Sequence, residues 1–155
     1  MLLDINVTSP HGFYRDRLSK AFLFRARDSD ILANDNIKLQ HLNAAGTAAP
    51  YHILNAALNM QGSNEVDLRG RMSDFFIFSK RYIGSDRTGY VDTREIERFD
   101  HHLNLGTACA ISAAAAAPNM GTITNRSMIF ILTVLNIRLG YWLPNPKVVK
   151  RRRWN

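Results

Sequence analysis

Residues Asp100, His101 and His102 form the one cluster of potential metal ligands in the sequence. Carboxylates and imidazoles bind zinc and other divalent ions. Adjacent residues of a helix or strand point in different directions, so the two imidazoles do not easily face one ion. One alternative is metal-dependent hydrolysis of phosphoesters by Asp100 and His102, and the other is a surface or capping role for the cluster. We predict no metal site.

The sequence also has no motif that activates a serine or holds a phosphate. A serine nucleophile needs a tight, glycine-flanked turn, which leaves room for the strained serine and for amides that stabilise an oxyanion. The G-x-S-x-G pattern is missing, as are the patterns of phosphate loops, dinucleotide sites and zinc proteases. Ser112 belongs to a predicted helix, where a hydroxyl tends to bond the preceding turn. We predict no catalytic residue and no cofactor.

The composition is typical of one globular domain, because 46% of the 155 residues are hydrophobic and 21% are charged. The single Cys109 excludes a disulfide framework and favours a reducing compartment. The first residues lack the pattern of an export signal, and the longest apolar run, residues 128–135, is shorter than the roughly 20 residues that cross a bilayer. We predict a cytoplasmic protein, either free or peripheral to a membrane.

The net charge of +7 favours polyanions, meaning phospholipid headgroups or nucleic acid. The positive charge is concentrated in the first predicted helix and in a predicted basic tail, residues 147–155. The candidates for contact with an anionic membrane surface are Arg15, Arg17, Lys20, Lys150, Arg151, Arg152 and Arg153. The alternative is that these side chains are solvated and have no partner. We expect no specific nucleic acid.

Hydrophobic spacing and capping residues predict several helices and a few strands, with no repeat or linker that divides the chain. The predicted helices are 10–26, a short helix after the cap Asp92, 105–117 and 126–142, and the predicted strands are 50–60 and 73–80. These elements predict one domain, or part of one, over residues 1–155.

Five stretches, taken together and in order, resemble the bacterial patatin-like phospholipases, particularly the large members distantly similar to cytosolic phospholipase A2. They are HGFYRDRLSKAFL (11–23), APYHILNAALNM (49–60), DFFIFSKRYIGSDRTGY (74–90), LGTACAISAAAAAPNMG (105–121) and ILTVLNIRLGYWLPNP (131–146). The resemblance covers nearly the whole chain. It implies a fold of the α/β class, here a partial three-layer α/β/α domain.

The resemblance also implies an activity, the hydrolysis of phospholipids or other acyl-ester lipids by a serine–aspartate dyad. In that family the serine lies in a G-x-S-x-G elbow and the aspartate in a D-G-G motif, and this sequence contains neither. We therefore expect the chain to be an interior segment of the catalytic domain that is inactive alone. The second hypothesis is a basic module that binds an anionic membrane surface or nucleic acid.

The run of alanines before Pro118 gives the predicted helix 105–117 a surface of small side chains. Such a surface lets a helix approach a neighbouring sheet or helix closely, and Pro118 should end the helix within a residue or two. The resemblance places this helix near the active site, with a pocket wall formed by Ser112, Ala113, Ala114, Pro118 and Asn119. The alternative is plain helix packing unrelated to a site.

Overall fold

The computed structural model describes residues 4–27, 30–43, 48–60, 73–114 and 139–152. They form two compact units, Met1–Ile37 with Asn104–Leu143 and Lys38–Leu103 with Pro144–Asn155. Each unit combines helices with antiparallel strands, so the predicted mixture of α and β structure is confirmed. The predictions for residues 115–138, which include Pro118 and Asn119, and for Arg153 lie outside the described residues.

Unit 1 contains helix α1, His11–Phe22, which starts one residue after the predicted start at residue 10, with Pro10 at the N-cap. The Ser9 hydroxyl accepts a hydrogen bond from the His11 amide at 3.4 Å. The predicted end at residue 26 is wrong, because the chain leaves the helix and forms an antiparallel hairpin of β1, Phe24–Arg27, and β2, Asp30–Ala33. Residues 24–27 make their backbone hydrogen bonds with β2, in place of the bonds that they would have made in a longer helix.

Helix α3, Leu105–Ala113, completes the regular structure described in unit 1. The Asn104 side chain caps it by accepting a hydrogen bond from the Thr107 amide at 2.9 Å. The helix ends before residue 117, the predicted end, and Ala114 has an extended backbone. The Ala114 amide bonds the Ile111 carbonyl at 3.2 Å, so the last turn of the helix tightens to the i, i+3 pattern at this point.

The predicted helix 126–142 is wrong over its described part, because residues 139–142 have no regular structure. The Asn6 side chain bonds the backbone of Trp142 twice, donating to its carbonyl at 3.0 Å and accepting from its amide at 2.9 Å. These bonds replace helical bonds for Trp142. The His11 Nδ1 atom lies 2.8 Å from the Leu139 carbonyl.

Unit 2 contains an antiparallel sheet of four strands in chain order, β3 to β6. Their bounds are β3 Ile53–Asn59, β4 Ser73–Ser79, β5 Tyr82–Ser85 and β6 Gly89–Asp92. The strands predicted at 50–60 and 73–80 are confirmed as β3 and β4, whereas β5 and β6 were not predicted. The register places Ala56 opposite Phe76, and Ile83 between Phe78 and Val91. Because these residues are buried, one face of the sheet forms the core of the unit.

Two helices of unit 2 pack near strand β6. Helix α2, Thr93–Phe99, starts as predicted at the cap Asp92, whose carboxylate accepts a hydrogen bond from the Arg94 amide at 2.8 Å. Helix α4, Pro146–Arg152, contacts β6 and α2 and buries Pro146 and Val149. Most of the predicted basic tail is therefore helical. A short 3-10 helix, Leu39–His41, also belongs to this unit.

Within the described ranges, none of the helices has both the length and the apolar character needed to cross a membrane.

Candidate functional site

In unit 1, helix α3 lies against helix α1 at Gly106. A Cβ atom added to Gly106 would lie 2.9 Å from the Ser19 hydroxyl and 3.1 Å from the Arg15 Nε. Ala108 and Ala110, farther along α3, are fully buried. The small residues of α3 therefore allow a close helix approach, and the neighbour described in this unit is helix α1.

Arg15 is the centre of a polar network in unit 1. Its guanidinium donates to the carboxylates of Asp16 at 2.8 Å and Asp35 at 3.0 Å. It also donates to the side-chain oxygens of Asn36 at 2.7 Å and Asn104 at 3.4 Å. The Arg15 side chain is only 18% exposed. This cation is thus held inside the unit, whereas Arg17 and Lys20 are exposed on α1.

The described part of the predicted pocket wall is the C-terminal end of α3. Ser112 and Ala113 are exposed there and Ala114 is half-buried. The Tyr14 hydroxyl donates a hydrogen bond to the Ala113 carbonyl at 3.0 Å, which ties this helix end to α1. Ser112 lies on a helix, not on the glycine-flanked turn that activates a serine.

A cleft of about 260 Å³ lies between the end of α1 and the β1–β2 hairpin. Its lining residues are Asp16, Ser19, Lys20, Leu23, Phe24, Ile31, Ala33 and Asp35. The Ser19 hydroxyl is buried and has no hydrogen-bond partner among the described residues. Phe24 and Ile31 project from the same face of the hairpin, since Phe24 pairs with Ala33 and Ile31 with Ala26.

This cleft was not predicted from the sequence, because the first predicted helix ran through residue 26 and so included residues that form strand β1. The signal that was available is the alternation of apolar and charged residues in FRAR, residues 24–27. Alternation with a period of two is typical of a strand that has one apolar face. Four residues are too few to separate that pattern from the end of an amphipathic helix.

Helix α4 carries the second group of candidate cations. Lys150, Arg151 and Arg152 are exposed, and none of them has an acidic partner in the part of the chain that the structure describes. The described residues of unit 2 include ten lysines and arginines against six aspartates and glutamates. The unit therefore has an excess of positive charge to which α4 contributes its free side chains.

The Asp100-His101-His102 cluster lies in the turn that follows α2. The Asp100 carboxylate accepts a hydrogen bond from the His102 amide at 3.0 Å, and the His101 carbonyl accepts one from Lys38 Nζ at 2.8 Å. Both histidine side chains are exposed. No group of three His, Cys, Asp or Glu residues in the described ranges is arranged to hold a metal ion. Asp100 is the C-cap residue of α2, which is the capping role that we gave above as the alternative to metal binding.

Glu97 is a buried carboxylate in the core of unit 2. Its Oε1 accepts a hydrogen bond from the Leu39 amide at 2.6 Å, and its Oε2 is buried without a hydrogen-bond partner in the described part of the chain. Burial raises the pKa of Glu97, although the bond from Leu39 and the charge of Lys38 oppose the shift. This group anchors the 3-10 helix to α2.

Comparison with protein-family models, with curated proteins and with solved structures finds no match to this chain. The geometry of the described residues therefore indicates what this chain can bind or do. These residues provide a largely apolar cleft in unit 1, whose charged lining residues are Lys20, Asp16 and Asp35, and a basic helix in unit 2.

Proposed function

We propose that this chain is a non-catalytic segment of a cytoplasmic, patatin-like lipid acyl hydrolase with a three-layer α/β/α domain. The resemblance in sequence is its basis, and the order of the elements supports it. Four of the five resembling stretches coincide with regular structure, namely α1, β3, the β4–β6 strands and α3. These stretches are therefore suited to a scaffold, because regular elements position their side chains more rigidly than loops do.

The observation that carries this proposal is the packing of α3. Gly106, Ala108 and Ala110 are buried, while the end of the helix presents the small side chains of Ser112 and Ala113 to solvent. An exposed surface of small residues leaves space for an acyl chain to lie against it. Ser112, Ala113 and Ala114 form the described part of one wall of the proposed lipid pocket, and Pro118 and Asn119, which the sequence assigns to the same wall, lie outside the described residues.

The chemistry then belongs to the rest of the parent domain. The serine attacks the acyl carbonyl, the aspartate accepts the serine proton, and backbone amides stabilise the oxyanion. The alcohol leaves, and water hydrolyses the acyl-enzyme to release the fatty acid. The residues of this chain exclude water from the acyl chain and position it, and no proton is transferred by them.

The direct test is an esterase assay on purified residues 1–155 with a short-chain acyl ester. We expect no turnover above buffer, and no difference between the unmodified chain and Ser112→Ala. Turnover that disappears in Ser112→Ala would show that this chain has its own nucleophile. The flanking coding sequence provides a second test, since the proposal requires a G-x-S-x-G motif upstream and a D-G-G motif downstream.

A second candidate function is a basic module that binds an anionic membrane surface or nucleic acid. The observation that favours it is the set of unpaired cations on α4, Lys150, Arg151 and Arg152. Buried Pro146 and Val149 fix this helix on unit 2, so the three charges are presented from an ordered surface. Ordered cations lose less conformational freedom on binding than those of a flexible tail.

A further inference from the structure

Unit 1 exposes a surface on which large apolar side chains alternate with cations. We define it as the α1–hairpin face, formed by Phe13, Arg17, Lys20, Phe24 and Ile31. Phe13 is 67% exposed, Phe24 52% and Ile31 74%. Leaving side chains of this size in water is unfavourable, and several of them in one patch are typical of a surface that binds a partner.

The members of the α1–hairpin face are neighbours. Phe13, Arg17 and Lys20 follow one another at helical spacing and share one side of α1. Lys20 also lines the cleft to which Phe24 and Ile31 contribute. The patch therefore runs without interruption from the first turn of α1, past its last turn, to the apolar face of the hairpin.

The charges on this face are available for binding. The Arg17 guanidinium lies over the Phe13 ring, 5.0 Å from its centre, and Lys20 has no acidic partner in the described ranges. Two carboxylates also line the cleft, those of Asp16 and Asp35, and both bind the Arg15 guanidinium, at 2.8 Å and 3.0 Å. The three cations Arg15, Arg17 and Lys20 outnumber these two carboxylates by one. The face is therefore both apolar and cationic.

We propose that the α1–hairpin face docks unit 1 on an anionic phospholipid bilayer. Phe13, Phe24 and Ile31 insert at the boundary between headgroups and acyl chains, and Arg17 and Lys20 bind the lipid phosphates. The choice of a lipid partner rests on the function proposed above. Phe13 and Phe24 have rings on which bases could stack. A nucleic acid would, however, leave the aliphatic Ile31, the most exposed of the three apolar side chains, without an apolar partner, whereas lipid acyl chains cover all three.

The test is co-sedimentation of the full chain with vesicles of phosphatidylcholine and phosphatidylserine. We expect Ile31→Ser and Lys20→Glu each to reduce vesicle binding by about tenfold, through lost insertion and lost headgroup attraction respectively. The matched controls are Phe75→Ser, which removes an equally exposed ring from unit 2, and Arg94→Glu, which removes an exposed cation there. Both should retain binding, and thermal melts monitored by circular dichroism identify any variant that is unfolded.

Insertion has its own measurement, which separates it from attraction by charge alone. A polarity-sensitive fluorophore on Ile31→Cys, in a Cys109→Ala background, should shift to the blue when vesicles are added. The same label on Phe75→Cys should not shift. Vesicle binding without a shift at position 31, or equal losses in the test and control variants, would overturn the proposal. The proposal would also be overturned if the unmodified chain did not bind vesicles and Ile31→Ser lost binding to an oligonucleotide or to a second copy of the chain. The face would then have a different partner. Since the readout is binding, esterase turnover by the isolated chain would contradict only the proposed function and would leave the docking proposal standing.

Discussion

At the scale of single residues, the fold disfavours the ionised form of the Glu97 carboxyl group, because this group is buried. One carboxylate oxygen binds the Leu39 amide, and the other is buried without a hydrogen-bond partner among the described residues. Its raised pKa means that the folded state holds the proton above pH 4.5, the ordinary value, where the unfolded chain has released it. This contribution to stability is therefore full below the ordinary pKa and is lost as the pH rises through the raised one.

We predict that Glu97→Gln weakens this dependence on pH. The amide oxygen of glutamine can still accept the bond from Leu39, but it has no charge to bury. In urea denaturation between about pH 4.5 and 8, the free energy of unfolding of the unmodified chain should fall relative to that of the variant. Glu95→Gln is the matched control, because Glu95 lies on the same helix and pairs with Arg98 at the surface. Parallel curves for the unmodified chain and Glu97→Gln would contradict the prediction.

Arg15 shows why the sequence alone did not predict the role of a residue. Its position on α1 was predicted correctly, but it was predicted as a contact with an anionic surface, whereas its side chain is only 18% exposed and binds acceptors within unit 1. Its acceptors include Asp35 and Asn104, which are 20 and 89 residues away in the chain. A pattern within one helix contains no information about such partners, so the network became visible only with the tertiary structure.

At the scale of elements, α3 supports a test of close packing. We predict that Ala108→Leu, at a fully buried position, destabilises the chain by about 1–3 kcal/mol, because the added carbons overpack the interface. Ala113→Leu, at an exposed position of the same helix, should change the free energy of unfolding by less than about 0.5 kcal/mol. Thermal or urea unfolding of the two variants measures the difference. Similar effects at both positions would mean that α3 is not packed as described.

The elements also show which boundaries the sequence predicts well. The start of α2 was predicted because Asp92 caps it through a local hydrogen bond. Strands β3 and β4 were predicted from apolar runs beside turn-forming residues. The end of α1 was not, since pairing between Phe24 and Ala33 decides it. The end of α3 was not predicted either: the helix ends at Ala113, where the Ala114 amide bonds the Ile111 carbonyl in a tighter turn. Of the candidate site, the sequence predicted the small-residue helix and the basic positions but not the cleft.

At the scale of the whole molecule, the net charge of +7 predicts binding of polyanions that weakens steeply with salt. If α4 is the main contact, the double variant Lys150→Gln/Arg151→Gln should lower both the affinity for single-stranded DNA and its dependence on salt. The double variant Arg81→Gln/Arg94→Gln removes the same charge from exposed positions of the same unit and should have a smaller effect. Fluorescence anisotropy with a labelled oligonucleotide measures both. Equal effects of the two double variants would mean that binding depends on the total charge and not on α4. If the unmodified chain did not bind DNA even at low salt, the second candidate function would lose its support from nucleic acid binding.

Part of unit 2 is built from elements that are neighbours in the chain, whereas α1 and α3 of unit 1 are far apart in it, and this difference has a kinetic consequence. Strands β4, β5 and β6 and helix α2 follow one another directly, and Thr93 bonds the Ser79 carbonyl only 14 residues away. In unit 1, by contrast, Arg15 must meet Asn104 across 89 residues. Short loops cost less entropy to close and nucleate sooner. On a ribosome, the β-meander and α2 are therefore able to form while the partner of α1 is still being synthesised.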